Sequence, residues 1–345
     1  MNYSKSVQFL LDHACPSIVY RTRKEILGES RNTQTMLELQ KQIQNDPEVE
    51  RILSLQKEDG WLGGHFHGAD GPEGRIRYLY EKGVESDHPV IQRAIEAIEL
   101  LGKDFDYYGL GRIGMILNDY HLGGIQMMKA CVFAYAGHEK ETFIKDQIKE
   151  ALSAFEYVAN MENIENVYTL HKNKIFVFTK GIKWPSTYHL RLLAFTHSWK
   201  NAKNLGTLDV AFNKLVEFSP IPSMKLLHKN QVVSPASIYM NDFNPDLGQI
   251  NAKDWMMWFH RIEMIARLGI IDKIEAIKNQ IQILQNILCE NEGLFTKTLS
   301  HFYFNKWTQY IGLALENDWK VKNARICDLT FRSLLILKLT DQLSL

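Results

Sequence analysis

Two groups of histidines contain the residue types that could do chemistry. The first lies in the glycine-rich stretch 62-LGGHFHGADGPEG-74, where two histidines, an aspartate and a glutamate fall close together. An HxH step with a nearby carboxylate can hold a divalent transition metal, so His65, His67 and Asp70 are the candidate metal ligands. The same residues, with Glu73, also suit another kind of site at the rim of a cavity. A loop of solvated histidines is the third interpretation.

The second group consists of three aromatic–histidine pairs spaced about 70 residues apart, an interval that fits two helices with their loops. The pairs are Tyr120-His121, Tyr188-His189 and Phe259-His260, each followed by an apolar helical pattern. If they mark a structural repeat, each histidine starts an equivalent helix and could face a shared cavity. A neutral histidine could then act as a general base with a neighbouring tyrosine as acid. Chance similarity, with the same residues filling interhelical corners, explains the pattern equally well.

Aromatic and arginine side chains accompany these pairs along the chain. Facing a cavity, aromatic rings could stabilise a carbocation or stack on a sugar, and an arginine could bind an anionic group. At helical spacing the same rings also fit a hydrophobic core. The candidate catalytic residues are therefore His121, Tyr188, His189 and His260, and the candidate substrate-binding residues are Trp61, Trp184, Arg191, Trp258, Arg261 and Trp307.

Composition excludes several classes of partner. The 345 residues contain 40 basic and 40 acidic side chains without a basic stripe, which argues against binding nucleic acid or anionic lipid. Asp12 and His13 interrupt the short apolar run near the start, and no apolar segment has the length of a membrane span. Four widely separated cysteines lack a CxxC pair. We expect a cytoplasmic protein with a small-molecule substrate and no membrane span; the sequence does not indicate the oligomeric state.

Helical periodicity dominates the chain. It is clearest in segments 89–102, 143–161 and 271–289, whereas 174–184 is the one good strand candidate. No low-complexity tract or linker divides the sequence, which predicts one all-α domain, 1–345, of about six helical hairpins. Hairpins must stack to bury their apolar faces, either in an open solenoid or in a closed ring with inner and outer helices. We favour the ring, an (α/α) toroid, because the segments after the three histidine pairs are apolar nearly all round.

One motif carries a resemblance to a known family. The segment 56-QKEDGW-61 resembles the Gln-x-x-x-Gly-x-Trp repeat of the squalene-cyclase and protein-prenyltransferase (terpenoid cyclase) superfamily, although Trp61 follows Gly60 directly. The segment 289-CENEGLF-295 is a second partial copy, with Cys289 in the glutamine position. The resemblance implies an α/α toroid in which the glutamine amide caps helix ends beside a packed aromatic ring.

The catalytic signatures of that superfamily have no full counterpart in the chain. The Asp-x-Asp-Asp acid of the class II cyclases is approached only by 104-DFD-106, which makes Asp106 a further catalytic candidate. An aspartate-rich diphosphate site and the zinc ligands of the prenyltransferases find no matching segment.

Three functions stay open on the sequence alone. The first is an enzyme acting on an apolar or isoprenoid-like molecule in a central, aromatic-lined cavity. The second is a carbohydrate-active toroid, either a glycoside hydrolase with two opposed carboxylates or a polysaccharide lyase using tyrosine and histidine. The third is a non-catalytic helical binding scaffold. A divalent metal is the one cofactor that the residues suggest.

Overall fold

The computed structural model describes residues 2–68, 70–101, 112–305 and 313–345. The chain is mostly helical, which confirms the all-α class. The helices are α1 Ser4–His13, α2 Pro16–Arg21, α3 Gln34–Gln44, α4 Pro47–Leu53, α5 Pro72–Lys82, α6 Pro89–Leu100, α7 Arg112–Asp119, α8 Ile125–Tyr135, α9 Thr142–Ala159, α10 Thr187–Ala194, α11 Ala202–Glu217, α12 Ala252–Leu268, α13 Glu275–Cys289, α14 Phe302–Asn305 and α15 Lys322–Leu339. A π-helical turn, Thr22–Ile26, continues α2, and 3₁₀ turns cover Ile164–Val167 and Ile271–Lys273.

Local sequence signals explain where many of these helices begin and end. Proline occupies the first turn of α2, α4, α5 and α6, where its missing N–H costs nothing. The Asp46 carboxylate accepts the backbone N–H groups of the first turn of α4, and Asn251 caps α12 in the same way. Helix α12 ends at Leu268 and is followed by Gly269, whose left-handed conformation suits glycine.

The strands form two short antiparallel hairpins. Strand β1, Tyr168–His171, pairs with β2, Ile175–Phe178, and β3, Leu226–His228, pairs with β4, Gln231–Val233. The strand expected at 174–184 is therefore real but shorter. Strand β1, which is as short as β2, was not predicted.

The described contacts group the chain into two compact units, where the sequence predicts a single domain. Unit 1 comprises Met1–Leu101, Leu247–Gly269 and Asn279–Leu345, and unit 2 comprises Gly102–Asp246 and Ile270–Lys278. Both units are discontinuous in sequence. No Pro/Gly/Ser-rich linker lies where the chain passes from one unit to the other, so the composition does not indicate this division.

Each unit has its own aromatic core. In unit 1 the rings of Trp255, Trp258, Phe259 and Phe295 pack mainly edge to face, with centroids 5.3 Å apart for the two tryptophans. In unit 2 α9 and α11 meet through stacked rings, and all eight residues of α10 are buried. Within the described part of the chain, none of the helices has both the length and the apolar character needed to cross a bilayer.

The corner Gln56–Trp61 fixes a turn onto α6. The Gln56 amide donates to the carbonyl oxygens of Gly60 and Val90, at 3.0 and 2.7 Å. Gly60 has φ +87°, and a Cβ there would lie 2.7 Å from the Arg93 carbonyl oxygen. The glutamine thus joins the turn to the first turn of α6. At the start of α6 the glutamine contacts a carbonyl oxygen, and the Val90 N–H is capped by Nδ1 of His88 at 3.3 Å.

Candidate functional site

The three aromatic–histidine pairs lie in different structural settings. Tyr120-His121 follows the end of α7, Tyr188-His189 lies in the first turn of α10, and Phe259-His260 lies in the middle of α12. The expectation that each histidine starts an equivalent helix is therefore wrong. In the first pair, residues 122–124 separate His121 from the start of α8. Only the second pair has the expected position.

His121 forms a partly exposed pair with a carboxylate from α9. Its Nδ1 lies 3.3 Å from Oε1 of Glu150, and the two side chains are 42% and 37% exposed. The backbone of His121 has φ +53°, a left-handed conformation that few residues other than glycine adopt. Beside it, the Tyr120 hydroxyl donates to the Leu227 carbonyl oxygen at 2.8 Å. A carboxylate held on one imidazole nitrogen orients the ring and leaves the other nitrogen for proton transfer.

His189 is fully buried at the start of α10. Its Nδ1 accepts the backbone N–H of Ser186 at 2.8 Å, while the Ser186 hydroxyl accepts the N–H groups of Tyr188 and His189. This is a capping box with histidine in the position that glutamate or glutamine usually takes. Burial, and after it the charge of His121, lower the pKa of His189 to about 3.

Two consequences follow for the chemistry of His189. The imidazole is neutral near pH 7, and its one unprotonated nitrogen, Nδ1, already accepts the Ser186 N–H, so no lone pair is left for the general-base role expected from the sequence. Because Nδ1 accepts a hydrogen bond, the proton of the neutral imidazole is on Nε2. This Nε2–H is buried and finds no hydrogen-bond partner among the described residues. The Thr187 hydroxyl, two residues away, is likewise buried and unpartnered within the described part of the chain.

Helix α10 also carries the candidate arginine of unit 2. Arg191 is buried, with its guanidinium carbon 5.5 Å from the centre of the Tyr188 ring. Burial lowers the pKa of Arg191, but Tyr135, Tyr239 and Tyr188 raise it by more, so the guanidinium keeps its charge. Trp184, just before this helix, is 1% exposed and belongs to the core. Unit 2 thus brings four predicted site residues, His121, Tyr188, His189 and Arg191, onto or beside α10.

Unit 1 contains a closed ring of ion pairs that the sequence analysis missed. Its six members alternate in charge around the ring: Arg21, Glu81, Arg332, Glu263, Arg267 and Glu25. Arg332 lies 3.0 Å from Glu81 and 2.8 Å from Glu263, and Arg21 lies 3.0 Å from Glu81. We call this set the ion-pair ring. Sequence signals exist only for the two pairs spaced four residues apart, since the other contacts join distant segments.

One predicted residue of α12, His260, lies near this ring. Burial raises the pKa of Glu81, but the charges of Arg332, Arg21, Arg77 and His260 hold it well below its ordinary range. His260 is therefore close enough to the Glu81 carboxylate to interact with it electrostatically. Other predicted residues of this helix are buried: Arg261 is 4% exposed, and Trp258 donates its Nε1–H to Oε1 of Gln280 at 2.8 Å.

The glycine-rich stretch does not gather its candidate ligands. His67 Nδ1 contacts the carboxylate of Glu73, a buried residue in the first turn of α5, whereas Asp70 pairs with Arg75 and His65 is exposed. Among the described residues, no group of three or more His, Cys, Asp or Glu side chains is placed to hold a metal ion. Nearby, Trp61 is 7% exposed and donates its Nε1–H to the Gly64 carbonyl oxygen at 2.7 Å. The buried Trp61 ring and this hydrogen bond therefore hold the loop against the protein interior.

Two predicted site residues, Asp106 and Trp307, lie outside the residues that the structure describes. Comparison of the chain with family models, with curated proteins and with solved structures found no match. The resemblance to the terpenoid cyclase superfamily therefore depends on the segments 56–61 and 289–295 alone. In the second of these, Gly293 follows the end of α13 and Phe295 joins the aromatic core of unit 1.

Proposed function

We propose that unit 2 contains the active site of a small-molecule enzyme in which His121, oriented by Glu150, moves a proton. The observation that carries the proposal is the partly exposed His121–Glu150 pair beside the buried, neutral His189. Because His121 and Glu150 are partly exposed, a substrate can reach them. The buried His189 supplies a polar group whose position is fixed.

The proposed chemistry follows from the His121–Glu150 contact. The Glu150 carboxylate, 3.3 Å from Nδ1 of His121, would accept a hydrogen bond from Nδ1–H, which leaves the lone pair of Nε2 to take a proton from a substrate C–H or O–H group. The carboxylate then stabilises the imidazolium that forms, as an acidic residue does for a catalytic histidine elsewhere. General-base catalysis of this kind typically contributes about 10²- to 10⁴-fold to a rate.

This chemistry fits best with the lyase alternative, in which histidine and tyrosine act on a proton. The scaffold alternative expects no cluster of titratable groups, so the grouping of His121, Glu150 and His189 disfavours it. The isoprenoid alternative stays a prediction, and so does the closed ring of hairpins around a central cavity. Trp184 and Trp258, two residues expected to line that cavity, are packed in the interior.

All four cysteines are free thiols, which is compatible with the proposed cytoplasmic location.

Deuterium exchange tests the proposal without knowledge of the natural substrate. The protein is incubated in D₂O with lactate, malate, pyruvate, dihydroxyacetone and galacturonate, and incorporation into carbon positions is followed by proton NMR. We expect exchange on at least one compound, reduced about 10²- to 10⁴-fold by His121→Ala. Glu150→Gln should also slow it, because the amide cannot stabilise the imidazolium in the same way.

Glu156→Gln is the matched control, since Glu156 is an exposed glutamate on the same helix. It should exchange at the wild-type rate. Exchange that is absent from the whole set of compounds, or unchanged by His121→Ala, would contradict the proposal.

A further inference from the structure

We infer that His189 donates its Nε2–H to a carbonyl or carboxylate oxygen of the substrate, so that the substrate of unit 2 is a carbonyl or carboxylate compound. The inference deepens the proposed function and rests on it, because it places this donor beside the base His121. His189 would act as a catalytic residue through its contact with the reacting oxygen. Its role is electrophilic, in contrast to the basic role that the sequence predicts.

The tautomer of His189 is set by the backbone. The Ser186 N–H at the N-terminal cap of α10 has its acceptor in Nδ1 of His189, 2.8 Å away. A backbone N–H is an obligatory donor, so Nδ1 stays unprotonated as long as the helix keeps this start. The ring therefore presents a permanent donor at Nε2. No rotation or tautomer change is required before a substrate binds.

The position of this donor points to a ligand. An N–H group buried without an acceptor costs stability, and proteins leave few such groups unsatisfied. His189 is 0% exposed, and its Nε2 has no acceptor among the described residues. The Thr187 hydroxyl, 2% exposed and in the same helical turn, is a second donor without a partner in the described chain. A ligand that brings acceptor oxygens would satisfy these groups.

Neutral charge and helix position both suit an oxygen on which negative charge develops. A neutral imidazole at a helix N-terminus is an established electrophile for substrate carbonyl groups. Such donors stabilise the transition state more than the ground state when charge accumulates on the oxygen. The eight residues of α10 direct their positive dipole end towards the same region.

The two histidines together complete a balanced step. Nε2 of His121 takes a proton from the carbon next to the carbonyl group, and the C–H electron pair forms the new C=C bond. The carbonyl π pair moves to oxygen, where the His189 Nε2–H donates a hydrogen bond to the enolate. His121 then returns the proton to a carbon in an isomerisation, or to a leaving group in an elimination. No oxidant or reductant is consumed.

Nitrogen NMR of the full-length protein labelled with ¹⁵N-histidine tests the donor directly. We expect the His189 resonances to show a protonated Nε2 and an unprotonated Nδ1 from pH 5 to pH 8. Oxalate, a planar dicarboxylate that resembles an enolate, should shift the Nε2 resonance saturably. Ethylene glycol has the same two-carbon skeleton without carbonyl groups and should not shift it. An unprotonated Nε2, or a resonance indifferent to oxalate, pyruvate and galacturonate, overturns the inference.

Two variants separate the two nitrogens of the imidazole. His189→Asn places an amide oxygen near the Nδ1 position, so it can still accept the Ser186 N–H, but it lacks the distal donor. We expect it to fold and to bind oxalate about 10- to 100-fold more weakly. His189→Gln reaches further with its N–H group and should recover part of this loss. Equal oxalate affinity in the wild type and in His189→Asn contradicts the inference.

The two proposals fail in distinguishable ways. An Nε2 resonance that ignores every probe, in a protein whose deuterium exchange depends on His121, overturns the role of His189 alone. A clear Nε2 response, with exchange that does not depend on His121, overturns the proposed base alone.

Discussion

The buried imidazole of His189 makes protein stability depend on pH, and His189→Asn should remove that dependence. Folding lowers the pKa of this histidine from 6.5 to about 3. As the pH falls through 6.5 the unfolded chain takes up a proton that the folded protein does not bind until about pH 3. The contribution of His189 to the free energy of unfolding is thus fully present above pH 6.5 and is lost progressively as the pH falls from 6.5 to 3.

The magnitude follows from the size of the window. Each pH unit inside it changes the free energy of unfolding by about 1.4 kcal/mol for one proton. At pH 5 the free energy of unfolding of the wild type should therefore be about 2 kcal/mol lower than at pH 7.5 through His189 alone. Other titrating groups are shared by wild type and variant, so they cancel when the two are compared.

Urea unfolding at pH 7.5, 6 and 5, followed by circular dichroism, gives the comparison. We expect the stability difference between wild type and His189→Asn to narrow by about 2 kcal/mol from pH 7.5 to pH 5. His13→Asn, at an exposed position of α1, should follow the wild-type profile. Parallel pH profiles for the wild type and His189→Asn would refute the argument that this imidazole is buried in its neutral form.

Three further predictions concern unit 1, each measured by equilibrium or thermal unfolding. Gly60→Ala should cost about 3 kcal/mol and Gly28→Ala about 1 kcal/mol, because both have positive φ but only Gly60 has a close neighbour; equal losses would contradict this. Glu81→Gln should cost about 3–5 kcal/mol by leaving arginines of the ion-pair ring uncompensated, and adding Arg332→Met should restore part of it. Strictly additive losses would count against that coupling. Burial raises the pKa of Glu316 to about 7, so its carboxyl opposes folding increasingly as the pH rises from 4.5 to 7. Glu316→Gln should therefore raise the Tm at pH 8 but not at pH 4, and equal shifts at both would exclude the effect.

The helices were largely predictable because their signals are local. The segments expected at 89–102 and 143–161 correspond to Pro89–Leu100 and Thr142–Ala159. The helix expected at 271–289 begins at Glu275, since a 3₁₀ turn occupies its first residues. Periodicity, proline and glycine act over a few residues, so one segment suffices to place an element. The division into two units was not predictable, because it depends on contacts between segments more than a hundred residues apart.

The candidate site was predictable only in part. The burial of Tyr188 and His189 follows from the apolar helix that they begin, and Ser186 three residues before His189 was a readable capping signal. The contact between His121 and Glu150 could not be predicted from the sequence, because Glu150 belongs to a different helix. The divergence of His65 and His67 depends on the backbone angles of a glycine-rich loop, which residue types do not determine.

The ion-pair ring has a consequence for synthesis on the ribosome. Arg332 belongs to α15, whereas its partners Glu81 and Glu263 lie much earlier in the chain and leave the ribosome first. Until Arg332 has been synthesised, those carboxylates lack one of the guanidinium groups that compensate their burial. We expect nascent chains stalled before Lys322 to leave unit 1 sensitive to proteases and dependent on chaperones. Its segments would become resistant to proteases together, once α15 leaves the exit tunnel.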